Sequence, residues 1–143
     1  MDMRILIERE CVSLACRRID RESKEIITGN YEAVFKAGAA EIADALYEYH
    51  CCICETSGNA AYLMIFRSFG KMMRKLISIH YADGRQADVC LPEYAELTEA
   101  IINGNAEEAD RRISSILGRA SDFLNNFLKE KDGDNGRKKR AGN

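Results

Sequence analysis

A histidine beside a cluster of cysteines, near the middle of the chain, offers the clearest potential for chemistry. His50 precedes Cys51 and Cys52, and Cys54 follows His50 by one helical turn. Adjacent cysteines on a helix point about 100° apart, so this spacing is not that of a zinc knuckle. His50 and Cys54 could begin a zinc site, but nothing in the sequence completes it. We therefore predict no bound metal or other cofactor.

Nucleophilic catalysis has no better support. Apolar packing in the middle of a helix raises the pKa of a thiol, so Cys54 beside His50 does not make an activated nucleophile. The sequence contains neither a Gly-x-Ser-x-Gly elbow nor a glycine-rich phosphate loop. It also lacks the paired Glu-x-x-His motifs of ferritin-like metal enzymes. We predict that the protein is not an enzyme.

Length, charge and composition exclude other classes. The chain of 143 residues has the size of one domain, and its net charge of -2 gives no basic surface for a nucleic-acid backbone. No apolar run is long enough to span a membrane, and the N-terminus does not resemble a signal peptide. The six cysteines lie mostly in helical segments. Together these features predict a cytoplasmic protein with reduced thiols and no membrane contact.

The elements that position these side chains are helices. Apolar residues recur at helical spacing nearly throughout, and alternating β-branched runs are missing. We predict an all-α fold, an antiparallel bundle of about six helices. The predicted helices run from Asp2 to Ile19, from a cap at Asp20 to residues 28–30, across Phe35 to Ile53 with Gly38 in the middle, from Asn59 to about His80, from Pro92 to Asn103, and from Ala106 to Phe127.

Turn residues divide the chain. Ser57-Gly58-Asn59 predicts a left-handed helix exit at Gly58 and a cap at Asn59, and Asp83-Gly84 predicts a further turn. Residues 131–143 contain no apolar anchor and are predicted to be a disordered polar tail, which leaves 1–130 as the folded domain. Within this tail, the basic residues 137–140 could touch an acidic partner, although a solvated tail is the simpler interpretation.

Four local patterns follow one another along this frame. They are Arg4-x-x-x-Glu8 with Leu14-Ala15 and Arg18; Tyr49-His50 with Ser57-Gly58-Asn59; Arg74; and Glu93-Tyr94 with Leu97, Ala100-Ile101, Gly104 and Ala109. In this order and spacing they resemble the FCD domain, the ligand-sensing C-terminal domain of GntR-type transcription regulators of the FadR subfamily. The resemblance covers roughly residues 3 to 128.

The resemblance implies an antiparallel helical bundle that encloses a small-molecule cavity. Many members of the family hold a divalent metal there with one Asp and three His. In this chain the first His matches His50, whereas the Asp falls on Leu46 and the other two His fall on Tyr94 and Ile116. A divalent ion needs three or four ligands, so the resemblance implies a site without a metal.

By resemblance, the function is effector binding and dimerisation, and the partner is a second copy of the chain. The predicted ligand site consists of Arg4, His50 and Tyr94, with Leu46, Cys54 and Ile116 as its walls. A carboxylate is one candidate effector because a buried guanidinium needs an anion. Without a metal, we expect an effector less acidic or more apolar than the small hydroxy acids of metal-bearing relatives.

Other interpretations stay open. Arg4 could simply pair with Glu8, Tyr94 could fill the core, and His50 could be a neutral core histidine hydrogen-bonded to a neighbour. The alternative function is then a structural or protein-interaction bundle with a collapsed pocket. Family members read DNA through an N-terminal winged helix-turn-helix. Here the sensor helix begins at residue 3, so we expect either an excised sensor domain, with DNA contact only through a domain absent from this chain, or a stand-alone protein that does not bind DNA.

Overall fold

Helices account for the regular structure of this chain. A computed structural model describes residues 2–82 and 84–141, with side chains up to residue 138, and this part contains seven helices and no strand. The all-α prediction is confirmed, with one helix more than expected. The helices are α1 (Asp2–Arg18), α2 (Arg21–Lys36), α3 (Ile42–Thr56), α4 (Ala60–Ser68), α5 (Gly70–His80), α6 (Arg85–Ile102) and α7 (Ala106–Ala141).

The core lies between α1, α3, α6 and α7, with α2 packed on α3 and α6. Each helix turns an apolar stripe inward, and the fully buried side chains include Leu46 of α3, Leu97 of α6 and Leu117 of α7. Burying one such side chain contributes about 1.5–3 kcal/mol. No described helix combines the length and the apolar character that a membrane span requires.

Several predicted boundaries are confirmed. Asp20 forms a capping box with Ser23 at the start of α2. Gly58 adopts a left-handed conformation with φ of 70°, which ends α3 sharply, and the Asn59 side chain accepts the backbone N–H groups of residues 61 and 62. Gly104 (φ 68°) ends α6 in the same way.

The predicted ends of the second and third helices are wrong. α2 does not stop at residues 28–30 but continues to Lys36, because Ile27 and Val34 are both buried on the same face. Asn30 is accommodated within the helix by donating its amide to the carbonyl of Ile26 at 3.0 Å. The break falls later, at residues 37–41, so Gly38 lies between α2 and α3 rather than in the middle of a helix.

The predicted helix from Asn59 to His80 is two helices, which meet at Phe69. Phe69 has φ -98° and ψ 10°, and it ends α4 and precedes α5. The apolar spacing continues across this corner, which is why the sequence did not reveal it. The side chain of Phe66 is buried before the corner and that of Met73 after it.

Pro92 does not open the fifth helix. α6 begins at Arg85, after Gly84 with φ of 72°, so Pro92 lies within the helix. The residues before Pro92 are exposed or half-buried except for Cys90, the one fully buried side chain among residues 85–91, which makes the apolar periodicity too weak to detect. Asp83, the other residue of the predicted turn, lies outside the described residues.

α7 continues to Ala141, whereas the sequence predicts disorder from Lys131 onward. The side chains of residues 131–138 are exposed, and Lys138 pairs with Asp134 at 3.3 Å. This part of the helix is therefore supported by local backbone bonds and i,i+4 pairs rather than by burial. The side chains of residues 139 and 140, part of the predicted basic contact, lie outside the described residues. The division at residue 130 stays a prediction.

Candidate functional site

The first turn and a half of α1 places a buried ion pair inside the bundle. Arg4 and Glu8 lie one helical turn apart on the same face, and they are only 6% and 2% exposed. The Nε atom of Arg4 donates to Oε1 of Glu8 at 2.5 Å. Charged side chains are rarely buried this fully unless they are paired, and here each compensates the other.

Glu8 also connects α1 to α3 and, through His50, to α6. Its second oxygen contacts Nδ1 of His50, and Nε2 of His50 hydrogen-bonds to the hydroxyl of Tyr94 at 2.8 Å. Arg4, Glu8, His50 and Tyr94 thus form one continuous buried chain of polar contacts, here called the Arg4–Tyr94 chain. Both ring nitrogens of His50 are engaged within it.

A second set of hydrogen bonds supports Tyr94. The hydroxyl of Thr98, one turn later on α6, donates to the carbonyl of Tyr94 at 2.7 Å and lies 2.7 Å from the hydroxyl of Tyr49. The rings of Tyr49 and His50 both meet the Tyr94 ring edge to face, with centroids 5.4 and 5.6 Å away. Phe66 of α4 lies 6.3 Å from the His50 ring. Aromatic packing therefore restrains the imidazole.

Burial and pairing together determine which groups of the Arg4–Tyr94 chain are charged. Burial alone would raise the pKa of Glu8, but Arg4 and His50 outweigh it and lower the pKa from 4.5 to about 2. Burial opposes the charge of Arg4, yet Glu8 raises the Arg4 pKa. Burial raises the pKa of Tyr94 well above 10. At neutral pH the Arg4–Tyr94 chain therefore contains a carboxylate, a guanidinium and a neutral phenol.

The structure brings together three of the six predicted site residues, namely Arg4, His50 and Tyr94. The three predicted wall residues are all buried and stand in the core: Leu46 one turn before His50, Cys54 one turn after it, and Ile116 on α7.

Glu8, Thr98 and Phe66 are not among the site residues that the sequence predicts. The i,i+4 spacing from Arg4 is the available signal for Glu8, and by itself it predicts only an ion pair between the two residues. The same spacing from Tyr94 could have identified Thr98.

A small cavity lies beside Arg4, between α1, α5 and α7. It has a volume of about 20 Å³ and is lined by Arg4, Leu76, Ile77, Ile79, His80, Ala120, Phe123 and Leu124. A space of this size holds about one water molecule. The predicted small-molecule cavity of the bundle therefore stays a prediction, and an effector at this position would need more room than this conformation provides.

The described residues do not fit a divalent metal. Each nitrogen of His50 already has a partner, and the neighbouring family ligand positions hold the aliphatic side chains of Leu46 and Ile116 and the phenol of Tyr94. Over residues 2–82 and 84–138 there is no group of three or more His, Cys, Asp or Glu that could hold an ion. Structural and catalytic sites for such ions need three or four ligands.

Comparison with protein families agrees with this architecture. The profile of the FCD domain matches residues 1–119, and the chain belongs to the FCD domain family. FCD is the C-terminal effector-binding domain of GntR-family transcription regulators, and it is a regulatory rather than an enzymatic family. The match does not assign the FadR subfamily, which stays a prediction. No curated protein matches the chain.

Proposed function

We propose that the chain is the effector-binding domain of a GntR-type transcription regulator and that it senses a small organic molecule without a metal ion. The observation that supports this is the Arg4–Tyr94 chain, which places charge at the centre of a helical bundle. Hydrophobic residues of similar volume often stabilise a core as well as a buried ion pair does. Stability alone is therefore a weak reason to keep Arg4 and Glu8 inside.

The charge of the site argues for an effector of low charge. Glu8 is ionised above a pKa of about 2 and neutralises Arg4. A dianionic chelating acid would meet the Glu8 carboxylate and would find no metal. A neutral or monoanionic molecule with polar groups for Tyr94 and His50 and an apolar body meets neither obstacle.

Effector binding would be coupled to a movement of α5 and α7. The cavity beside Arg4 is about 20 Å³, and the His80 and Phe123 rings stack across its edge with centroids 4.7 Å apart. An organic effector must separate these helices to enter. The described conformation is then the closed state, and the effector shifts the population toward an open one.

Such a shift would reach DNA through a separate winged helix-turn-helix domain, and the active form would be a cytoplasmic homodimer. Exposed apolar side chains on α4 support an interface between copies, with Met64 73% exposed and Ile65 39% exposed. Gel filtration with light scattering measures the mass of the particle. A monomer at high protein concentration would contradict the dimer without affecting the proposed effector site.

A second candidate function is a structural or protein-interaction bundle. The size of the cavity and the complete pairing of His50 favour it, because a collapsed site needs no ligand to satisfy its polar groups. It predicts no specific small-molecule binding.

Calorimetric titration distinguishes the two functions. The panel contains hydroxy acids, monocarboxylates and neutral apolar compounds of similar size, titrated into wild type, Tyr94→Phe and, as a matched control, Tyr62→Phe on α4. We expect a monoanionic or neutral compound to bind wild type and Tyr62→Phe and to bind Tyr94→Phe at least tenfold more weakly. Failure of every compound to bind wild type favours the interaction bundle. Equal affinity for all three proteins places the site elsewhere.

A further inference from the structure

Two runs of hydrogen bonds meet at Tyr94, and each run ends on a group that can only accept. The first joins the hydroxyl of Tyr94 through His50 to the carboxylate of Glu8. The second joins the hydroxyl of Tyr49 through Thr98 to the backbone carbonyl of Tyr94. A hydroxyl has one proton to donate, and a neutral imidazole has one N–H and one bare nitrogen. The two acceptors at the ends therefore determine where the protons lie.

The carboxylate of Glu8 determines the state of Nδ1 of His50. This carboxylate is ionised, with a pKa of about 2, and its other oxygen accepts from Nε of Arg4. It has no proton to give to His50, so the proton in its contact with Nδ1 belongs to the imidazole. His50 is therefore a donor at Nδ1.

The charges around Glu8 leave no counter-ion for a second cation. Arg4 is always charged, and it balances the charge of Glu8. Protons on both nitrogens of His50 would add a positive charge to a side chain that is 1% exposed and packed among aromatic rings. Burying an uncompensated charge is costly. A neutral ring avoids this cost and leaves Nε2 bare, so that Nε2 accepts from the hydroxyl of Tyr94 at 2.8 Å.

The hydroxyls of Thr98 and Tyr49 follow the same rule. Thr98 donates its one hydroxyl proton to the carbonyl of Tyr94 at 2.7 Å, because a carbonyl cannot donate. The hydroxyl of Tyr49 lies 2.7 Å from the same Thr98 oxygen and must be the donor in that contact. Both tyrosines beside His50 thus give their protons to partners inside the core, and lone pairs remain on their oxygens.

We propose that His50 is fixed as the neutral tautomer with its proton on Nδ1, so that Tyr94 donates its one proton to Nε2 and presents an acceptor oxygen to the effector. An effector that contacts Tyr94 must then offer a donor, a hydroxyl or an N–H group, at that point. An ether oxygen there would face lone pairs and would leave two buried acceptors unpaired. The choice of a donor rests on the proposed function and its open state, whereas the tautomer of His50 does not.

The tautomer can be measured without any ligand. Nuclear magnetic resonance of the whole chain, with its nitrogens isotopically labelled, correlates the ring protons and ring nitrogens of each histidine at neutral pH. The chain contains two histidines, so the variant His80→Gln identifies the signals of His50 by elimination. We expect a protonated Nδ1 and a bare Nε2. A proton on Nε2, protons on both nitrogens, or a mixture of the two tautomers would overturn the proposal.

The variant Tyr94→Phe tests the donor to Nε2. Its Nε2 resonance should move further toward that of a bare nitrogen, because the hydroxyl proton is lost, and in the matched control Tyr62→Phe it should stay in place. Circular dichroism verifies that both variants are folded. If Tyr94→Phe does not fold, the wild-type spectrum alone decides the tautomer. An unchanged Nε2 resonance in folded Tyr94→Phe would contradict donation by Tyr94.

A matched pair of compounds tests the acceptor role of Tyr94. The probes are meta-hydroxybenzoate and meta-methoxybenzoate, which share one charge and one ring and differ in the hydroxyl proton. We expect wild type to bind the hydroxyl compound at least about tenfold more tightly, and Tyr94→Phe to lose this preference. Equal affinity of wild type for both compounds would overturn the acceptor role. If neither compound binds, that result counts against the proposed function, and the proton on Nδ1 still decides the tautomer.

Discussion

The carboxylate of Glu8 lies against the imidazole of His50 while its other oxygen accepts from Arg4. One side chain of α1 therefore serves both as the counter-ion of a buried cation and as the anchor of a residue on α3. Because Glu8 occupies the guanidinium, an effector that uses Arg4 must either displace Glu8 or bind beside it. The energetics of Glu8 consequently bear on both stability and ligand binding.

Removing the Glu8 carboxylate should be costly. Glu8→Ala leaves the guanidinium of Arg4 buried without a counter-ion, and we expect the free energy of unfolding to fall by about 3–5 kcal/mol. Glu25→Ala is the matched control, because Glu25 makes the same i,i+4 pair with Arg21 but with side-chain exposures of 71% and 95%. We expect a change below about 0.5 kcal/mol for the control. Urea unfolding followed by circular dichroism measures both.

Replacing both Arg4 and Glu8 distinguishes the value of the ion pair from the cost of leaving one buried charge unpaired. The double variant Arg4→Met, Glu8→Leu removes both charges from the interior, so it should lose less stability than Glu8→Ala alone. Urea unfolding again provides the measurement. A double variant less stable than Glu8→Ala would mean that packing around these side chains, rather than the orphaned charge, determines the cost.

Stability should also decrease in acid in a defined window. The pKa of Glu8 is lowered from 4.5 to about 2, so the unfolded chain binds a proton that the folded chain does not between these values. The contribution of Glu8 is therefore complete above about pH 4.5 and is lost as the pH falls toward 2, with a total on the order of 3 kcal/mol. Urea midpoints measured across this window provide the test. The profile of Arg4→Met, Glu8→Leu should be flatter, and parallel profiles would contradict the assignment to Glu8.

Substitution of Tyr94 perturbs the Arg4–Tyr94 chain less than removal of the Glu8 carboxylate does. Tyr94→Phe keeps the ring between Tyr49 and His50 but removes the hydroxyl that lies 2.8 Å from Nε2 of His50. Leaving that buried nitrogen without a partner should lower the free energy of unfolding by about 1–3 kcal/mol. Tyr62→Phe, at a half-buried position on α4, should change it by less than about 0.5 kcal/mol. Thermal and urea unfolding measure the difference, and equal losses would remove the support for a required His50–Tyr94 bond.

The sequence was a good guide where local chemistry determines structure. Gly58 and Asn59 were predicted as an exit and a cap because each acts through its own backbone or side chain, and both do so. The corner at Phe69 was missed because apolar spacing continues across it. Pro92 is misleading in the opposite way: proline favours the first turn of a helix, but α6 begins at Arg85 and contains Pro92 in its interior, where it removes one backbone donor.

The sequence predicts Arg4, His50 and Tyr94 as members of the candidate site, but it predicts neither the place of Glu8 between them nor the contacts that join them. The i,i+4 spacing placed Glu8 next to Arg4, but the spacing cannot tell whether that face is exposed or buried. Only the packing of α3 and α6 against α1 reveals that Glu8 reaches His50 and that Tyr94 closes the other side of the ring. The small size of the cavity beside Arg4 also depends on His80 of α5 and Phe123 of α7, whose rings stack at its edge. Nothing in the sequence indicates that these two helices lie close together.

Alanine substitutions at two glycines, Gly70 and Gly118, should change the free energy of unfolding in opposite directions. A Cβ atom at Gly70 would lie 2.6 Å from the hydroxyl of Tyr47, and that ring is held between Phe66 at 5.6 Å and Arg74 at 3.9 Å. Overpacking of this kind typically costs 1–3 kcal/mol, and the helix preference of alanine recovers up to about 1 kcal/mol. Gly70→Ala should therefore lower the free energy of unfolding by about 1–2 kcal/mol.

Gly118→Ala is the control for Gly70→Ala, since a Cβ there meets no atom within 4 Å and the residue lies inside α7. It should raise the free energy of unfolding by about 0.5–1 kcal/mol. Adding Tyr47→Phe to Gly70→Ala removes the hydroxyl from the clash but leaves Cζ at 3.0 Å, so it should recover about 1 kcal/mol of the loss in a double-mutant cycle. Additive losses would show that Tyr47 can move aside. In that case the packing of α3 against α5 would be more adaptable than the stacking of Tyr47 on Phe66 implies.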